Sequence, residues 1–127
     1  MDFNDTPEQA KFRAGCREWL EINAELKADK KNVNAESSLE SHLKIAKEWQ
    51  QKKYGAGWAM LHWPKEYGGV EASPIERIIW GQEEAKFNVP GGIFEIGLGM
   101  CGPVMMQYAS EEQKNRYLAP MAEGKEI

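Results

Sequence analysis

The chain has 127 residues, of which 42% are apolar and 28% charged, and its 20 acidic side chains outnumber 16 basic ones. A chain of this length can bury about two thirds of its unfolded surface, so we expect one self-supporting domain over residues 1–127. The net charge of −4 disfavours nucleic acid and anionic lipid as partners. No apolar run approaches the roughly 20 residues of a membrane span, and the acidic N-terminus does not resemble a signal peptide. We therefore expect a cytoplasmic protein.

The cysteines and histidines are too dispersed to indicate a metal site. Cys16 and Cys101 lie far apart in the sequence. His42 and His62 are twenty residues apart, and neither has a second imidazole or a thiol at the spacing of metal ligands. We expect two reduced, packed thiols rather than a disulfide or a metal centre.

Two helices are predicted in the first half of the chain. The first begins at Thr6, which is followed three residues later by a glutamine in capping-box spacing, and its apolar stripe extends to Leu26. Residues 27–38 are polar and aperiodic, which indicates an exposed loop and the most mobile stretch of the chain. The second helix begins at Leu39 and is closed by the glycines that follow Tyr54.

An aromatic loop and a third helix follow. Residues 55–72 carry too many aromatic side chains for a solvated linker and show no helical period, so we expect an ordered, packed loop. The third helix begins at Ser73, with a proline at the first position and Glu76 in capping-box spacing. Trp80 lies off the apolar face of this helix, which indicates a second covered surface. The residues predicted on that apolar face are Ile75, Ile78, Ile79, Gln82 and Phe87.

Residues 93–108 are apolar but contain Gly97, Gly99 and Gly102. A glycine inside a helix costs about 0.5–1 kcal/mol relative to alanine. Three of them therefore indicate the close approach of another backbone or of a ligand, with ordinary tight helix packing as the alternative.

A last helix begins at Ser110, again with a capping box, and is predicted to stop at Pro120 and Gly124. No segment alternates apolar and polar residues for the length of a strand. The sequence therefore predicts an all-α fold, an up-and-down bundle of about five to six helices with a long ordered aromatic loop.

Candidates for catalysis are weak. Glu83 and Glu84 could act as bases if buried, but adjacent helical carboxylates point in different directions. A solvated face, or a salt bridge to Lys86 or Arg77, is the favoured interpretation. The glycine series lacks the strand and the Lys-Ser/Thr pair of a phosphate loop, and the five tryptophans lack the basic groove of a base-stacking surface.

Two runs of residues resemble motifs of one enzyme family. Trp-Pro-Lys-Glu-Tyr-Gly-Gly at residues 63–69 and Ser-Glu-Glu-Gln-Lys-Asn-Arg-Tyr-Leu at residues 110–118 resemble the N-terminal domain of acyl-CoA dehydrogenases in content, order and separation. The resemblance covers nearly the whole chain. It extends to Phe12, Arg13, Arg17, Trp19, Leu20, Gly57, Trp58, Ser73, Pro74, Ile75, Glu76, Glu83, Glu84, Gly102, Pro103 and residues 124–127.

The resemblance implies a longer parent flavoprotein with a middle β domain and a C-terminal four-helix bundle after this helical domain. In the family, FAD is bound mainly by those two domains, which also supply the carboxylate that removes the α-proton of the acyl thioester. We therefore expect no catalytic, cofactor-binding or metal-binding residue in residues 1–127, and neither bound FAD nor activity in the isolated chain. The parent is expected to oxidise the α,β bond of an acyl-CoA in fatty acid metabolism, as a homodimer or homotetramer.

The resemblance also implies that residues 93–101 line the deep part of the acyl cavity. An acyl chain needs a narrow apolar slot with little side-chain bulk, and Gly97 would leave room for it. We expect Phe94 and Gly97 to help set the acyl-length preference, with helix packing inside the domain as an equally weighted alternative. The expected substrate-binding residues are Ile93, Phe94, Gly97, Leu98 and Met100.

A different class of function is also compatible with the sequence, namely a stand-alone helical module that binds a partner protein or an acyl ligand without catalysis. Acyl-CoA oxidases, nitroalkane oxidases and some flavin monooxygenases share the N-terminal fold as well, so the resemblance implies the reaction type less strongly than the fold. The enzyme domain and the stand-alone module predict different protein surfaces. A domain of a longer enzyme exposes apolar groups meant for its partners, whereas a complete module covers them.

Overall fold

The computed structural model describes residues 3–27 and 38–126. The predicted all-α fold is confirmed, because five α-helices and no strand occur in these ranges. Most of the predicted loop at residues 27–38 lies outside the described residues. A 3-10 turn (Lys65–Tyr67) precedes the third helix, and a π-helical turn (Gly97–Cys101) leads directly into the fourth. The helices are α1 (Pro7–Asn23), α2 (Leu39–Ala56), α3 (Pro74–Glu84), α4 (Gly102–Tyr108) and α5 (Glu111–Ala122).

Side-chain caps fix the starts of three helices where the sequence predicts them. Thr6, Ser73 and Ser110 each accept a hydrogen bond from the backbone N–H three residues on, and the side chain there bonds back to the cap. Both bonds satisfy N–H groups that have no partner inside the helix. The predicted end of α2 is also confirmed, since Gly57 closes it in the left-handed conformation (φ 81°).

The described residues form two compact units. The first unit comprises residues 3–27 and 72–89, and the second comprises residues 38–71 and 90–126. A single domain over residues 1–127 stays a prediction.

In the first unit α1 packs against α3. The first helix is predicted to end near Leu26, but it ends three residues earlier at Asn23, and Leu26 pairs with Phe87 in an isolated antiparallel bridge. The Lys27 N–H donates to the Lys86 carbonyl (3.0 Å) beside this bridge. The buried apolar residues of the unit are Cys16, Leu20, Ile79, Trp80 and Phe87.

The buried face of α3 differs from the predicted one. Ile79, Trp80 and Glu83 are buried on α3, a spacing that follows the helical repeat of 3.6 residues. The predicted exposure is reversed at Ile75 and Ile78, which are 46% and 55% exposed, and Gln82 is exposed as well. The burial of Trp80 agrees with the prediction that its side is covered, but Trp80 belongs to the single buried face of the helix rather than to a second one. The apolar pattern misplaced the face because one of its buried members is a carboxylate.

In the second unit α5 packs against the 3-10 turn, the π-helical turn and α4. The core comprises Trp63, Leu98, Leu118 and Ala122. The predicted stop at Gly124 is confirmed, since this glycine follows the end of α5 in the left-handed conformation (φ 77°), but Pro120 does not stop the helix, which continues to Ala122. The proline sits in the last turn, and the end of the helix is supported by buried Gln50, whose Nε2 donates to the Ala122 carbonyl (2.9 Å).

Both cysteines are free. Cys16 is buried, and burial raises the pKa of its thiol to about 11. The prediction of two packed thiols is wrong for Cys101, which is exposed on the π-helical turn. In residues 3–27 and 38–126, no three side chains of His, Cys, Asp or Glu lie together as a metal site requires. None of the helices described is long and apolar enough to cross a membrane.

Candidate functional site

The expected acyl-binding segment forms a π-helical turn. The Gly102 N–H donates to the Gly97 carbonyl, five residues earlier, so one residue more than in an α-helix is accommodated in the turn. Such turns inside α-helices occur frequently at functional sites. The sequence signals a disturbed helix here through its glycines, but not the type of helix.

Trp63 connects this turn to the aromatic loop. Its side chain is 1% exposed, and its indole Nε1 donates to the Leu98 carbonyl (3.2 Å). A Cβ atom on Gly102 would overlap the Trp63 ring, and one on Gly69 would overlap the Trp63 backbone carbonyl. Two glycines of the segments that carry the family resemblance therefore provide the space that this tryptophan occupies.

The five expected substrate-binding residues have different environments. Leu98 is buried in the core with Trp63, and Phe94 packs against that core while half-buried. Ile93 and Gly97 are half-buried, whereas the side chain of Met100 is 65% exposed. Leu98 is thus committed to the core of the second unit, and the other four reach its surface.

The glycines of this segment have different reasons to be glycine. Gly102 lies against the Trp63 ring, as tight packing requires. A Cβ on Gly97 would meet only the Met121 Cε atom, at an ordinary contact distance of 3.7 Å, and a Cβ on Gly99 would meet nothing within 4 Å. Among the described residues, packing therefore accounts for Gly102 but not for Gly97 or Gly99.

A stripe of exposed apolar residues runs along the same segment and α4. Its members, four residues apart, are Ile96, Met100, Val104 and Tyr108, with exposed fractions of 67%, 65%, 58% and 76%. Residues four apart lie on one side of a helix. We call this surface the apolar stripe.

A cluster of charged residues occupies the first unit. Glu83 is fully buried, and its carboxylate accepts hydrogen bonds from Arg13 Nη1 (3.1 Å), Arg17 Nε (3.1 Å) and Lys86 Nζ (2.9 Å). Arg13 also binds Asp5 through two hydrogen bonds, of 2.6 and 3.0 Å. The predicted salt bridge between Glu83 and Lys86 is present. The two arginines that resemble family residues are further partners of Glu83.

The electrostatics of this cluster favour a permanently ionised carboxylate. Burial raises the pKa of Glu83, but hydrogen bonds from Arg17, Lys86 and Arg13 lower it by more. The net result is a pKa of about 2, below the ordinary value of 4.5. A general base near neutral pH needs a higher pKa and an accessible carboxylate. The neighbouring Glu84 accepts a hydrogen bond from Trp80 Nε1 (3.1 Å). The geometry of Glu83 is that of a structural ion cluster.

The sequence pattern predicts only part of the Glu83 ion cluster and of the contact between Trp63 and the π-helical turn. The Glu83 and Lys86 pair is three residues apart and visible to a helical interpretation. The arginines lie 66 and 70 residues from Glu83, and Trp63 lies 35 residues from Leu98. The sequence signal for the arginines and for Trp63 is that all of them belong to the motifs that carry the family resemblance.

Known proteins match the chain along nearly its full length. The model of the family described as acyl-CoA dehydrogenase, N-terminal domain, matches residues 6–125. Acyl-CoA dehydrogenase IpdE1 of Mycolicibacterium smegmatis is 29% identical over 123 residues, which are 94% of this chain and 31% of that protein. A short-chain specific acyl-CoA dehydrogenase of Clostridium acetobutylicum is 30% identical over 128 residues, with 100% of this chain and 32% of that protein covered.

A solved structure shares the fold as well. The crystal structure of the ChsE4-ChsE5 complex from Mycobacterium tuberculosis matches with a TM-score of 0.72 at 26% identity, over 100% of this chain and 30% of that chain. The chain thus spans about a third of the length of the curated relatives it matches. From its match over residues 6–125, the chain belongs to the acyl-CoA dehydrogenase family, whose N-terminal domain it represents.

Proposed function

We propose that this chain is the N-terminal part of a longer FAD-dependent acyl-CoA dehydrogenase that oxidises the α,β bond of an acyl-CoA thioester. The observation that carries the proposal is the family match over residues 6–125, in a chain about a third as long as its relatives. FAD, when bound in the longer protein, is the acceptor of the electrons removed from the substrate. The catalytic base and most of the FAD site are proposed to lie outside residues 1–127.

The apolar stripe supports a part of a longer protein over a complete module. Four large apolar side chains in one row, each more than half exposed, are unfavourable in water and typical of a surface that another protein segment or a ligand covers. A stand-alone module would gain stability by covering or replacing them. We propose that the remaining domains of the enzyme cover this surface.

We propose further that one wall of the acyl pocket is formed by Ile93, Phe94, Gly97, Leu98 and Met100. Phe94 and Gly97 are half-buried at the edge of the core, and Met100 extends from the same turn into the exposed surface. Leu98 supports this wall from the core side. The open space around Gly97 and Gly99 supports the proposal, since these glycines weaken the helix without a packing role among the described residues.

The test of the overall function starts with the gene. The reading frame is followed past the codon for Ile127, the longer protein is produced, and oxidation of acyl-CoA thioesters is measured beside the 127-residue chain. We expect FAD and activity in the longer protein, and a colourless, inactive 127-residue chain. A stop codon after Ile127, or a longer protein with FAD but no activity on any acyl-CoA, would contradict the proposal. The first result would favour a non-enzymatic binding module.

The test of the wall uses acyl chain length. In the longer enzyme, Phe94→Ala should enlarge the slot and favour longer acyl groups, whereas Gly97→Leu should fill it and favour shorter ones, measured as kcat/KM across a series of acyl lengths. Matched controls are Phe3→Ala, at an 87% exposed phenylalanine, and Gly91→Leu, at a glycine with nothing within 4 Å of its Cβ position. An unchanged length profile in both test variants would refute the role of this wall.

Assembly and location are also proposals. We propose a cytoplasmic homodimer or homotetramer for the longer protein. The solved relative is a complex of two different proteins, ChsE4 and ChsE5, so a mixed assembly is the outcome to watch for. Light scattering after gel filtration, with the longer protein produced alone, should give a mass of two or four copies. A monomer that gains activity only with a second gene product would contradict the homo-oligomer.

A further inference from the structure

The backbone of the π-helical turn leaves the Leu98 carbonyl without its usual partner. In an α-helix the Leu98 carbonyl would accept from the Gly102 N–H, but that N–H donates to Gly97 instead. The donor for a five-residue hydrogen bond would be Pro103, which has no N–H. The Leu98 carbonyl accepts from Trp63 Nε1 (3.2 Å). The indole therefore replaces the backbone donor that this turn cannot provide.

Trp63 is itself held from its own loop. Its backbone N–H donates to the Met60 carbonyl (3.0 Å), and its carbonyl accepts from the Glu71 N–H (3.1 Å). The ring is 1% exposed and lies where a Cβ on Gly102 would be. The side chain thus has little freedom to turn or withdraw. It fixes one point of the turn by a hydrogen bond and a second by ring contact.

We propose that Trp63 is a positioning residue for acyl-length selectivity. The inference rests on the proposed function, because it assumes that the wall of residues 93–100 contacts the acyl chain. Trp63 does not line that wall. It acts through the Leu98 carbonyl, which lies inside the turn, and through Gly102, which follows directly after it. These two contacts set the positions of Gly97 and Met100 relative to Phe94.

The experiment removes the indole N–H and keeps an aromatic ring. Trp63→Phe is introduced into the longer enzyme, and kcat/KM is measured for one acyl-CoA shorter and one longer than the preferred length. We expect the ratio of the two values to change by about threefold or more, since apolar pockets discriminate by contacts of single methylene size. A purely structural role would lower both values together and leave the ratio unchanged, and that result would overturn the proposal.

The matched control is Trp80→Phe. Trp80 is also buried, and its indole Nε1 donates one hydrogen bond of 3.1 Å, to Glu84 in the first unit. This variant should lose stability as well but keep the ratio of the parent enzyme. Hydrogen exchange gives a readout independent of activity. Trp63→Phe should speed exchange across residues 94–105, whereas Trp80→Phe should leave that segment as it is.

A second variant tests the ring contact from the opposite side. Gly102→Ala keeps the indole N–H in the protein but displaces the ring that carries it, so it should shift the ratio and the exchange of the same segment. If Trp63→Phe fails to fold, this variant carries the test by the same criteria. A wild-type longer enzyme inactive on all acyl-CoA substrates would contradict the proposed function itself. An active enzyme whose ratio is unchanged by either variant would contradict only the positioning role.

Discussion

The two units of this chain are stabilised in opposite ways. In the first, a fully buried carboxylate holds two helices together through Arg13, Arg17 and Lys86. In the second, the side chain of a buried tryptophan donates one hydrogen bond to a helical carbonyl, and its ring packs against apolar groups and a glycine. Both arrangements join residues that lie far apart in the sequence, although Lys86 is only three positions from its carboxylate.

The comparison explains why much of a family signature can consist of residues that hold the domain together. In the first unit, removal of Arg17 would leave the buried carboxylate of Glu83 short of a charged partner. Trp63 and Gly102 are recognisable because a large ring and the space for it must be retained together. In both units the signature describes how the domain is built.

The largest effect should come from the ion cluster. Glu83→Ala removes the buried carboxylate and leaves three cations without their common partner, which should lower the free energy of unfolding by about 3–4 kcal/mol. Denaturant unfolding of the 127-residue chain measures this. Glu112→Gln, at an exposed position on α5, should change it by less than about 0.5 kcal/mol. Equal effects of the two variants would mean that the cluster contributes little.

Acid should weaken the first unit through the same carboxylate. The pKa of Glu83 lies at about 2 in the folded chain, below its ordinary value of 4.5. The stabilisation is therefore complete above pH 4.5 and is lost as the pH falls towards 2. The shift corresponds to about 3 kcal/mol. Unfolding free energies measured from pH 6 to pH 2 should fall more steeply for the parent chain than for Glu83→Gln, and parallel curves would contradict this.

Two glycines of the second unit should respond to alanine with opposite signs. Gly102→Ala forces the Trp63 ring to move and should destabilise the chain by about 1–3 kcal/mol. Gly99→Ala adds a methyl group where nothing lies within 4 Å and should stabilise the helical segment by about 0.5–1 kcal/mol. Thermal or denaturant unfolding distinguishes the signs. Destabilisation by both variants would indicate a second close approach at Gly99.

The smallest effect should be shared by both units. Ser73 caps α3 and Ser110 caps α5 with the same reciprocal hydrogen bonds. Ser73→Ala and Ser110→Ala should each cost about 1 kcal/mol, while glycine at either position should cost only a few tenths. Denaturant unfolding of the four variants provides the comparison. A clearly larger loss at one serine would show that its helix end has a further role in that unit.

The parts of the fold that the sequence predicts correctly depend on near neighbours. The caps at Thr6, Ser73 and Ser110 involve residues three apart, so the helix starts could be found. The helical pattern misplaces Leu26 because the partner of that residue is Phe87, 61 positions further along the chain. Pro120 does not end α5, which runs on to Ala122, and the Gln50 side chain that binds the last carbonyl lies 72 positions away and is invisible to the local pattern.

The candidate site shows the same division. Its glycines and apolar character indicate an unusual helical segment, and the resemblance selects Phe94 and Gly97 within it. The π-helical turn could not be predicted from the local pattern, and the donor that binds its Leu98 carbonyl comes from a tryptophan in a distant loop. The different roles of Gly102 and Gly99 also depend on which side of the turn faces that ring.

The π-helical turn has a consequence for comparing this protein with its relatives. It holds one residue more than a regular α-helical turn would, and its wider backbone takes up that residue within the turn. A relative with one residue fewer between Gly97 and Gly102 can therefore continue as regular α-helix, with the side chains before and after this point on the same faces as here. A single-residue gap at this point of an alignment marks the loss of the π-helical turn, while the helix faces on either side of it stay equivalent.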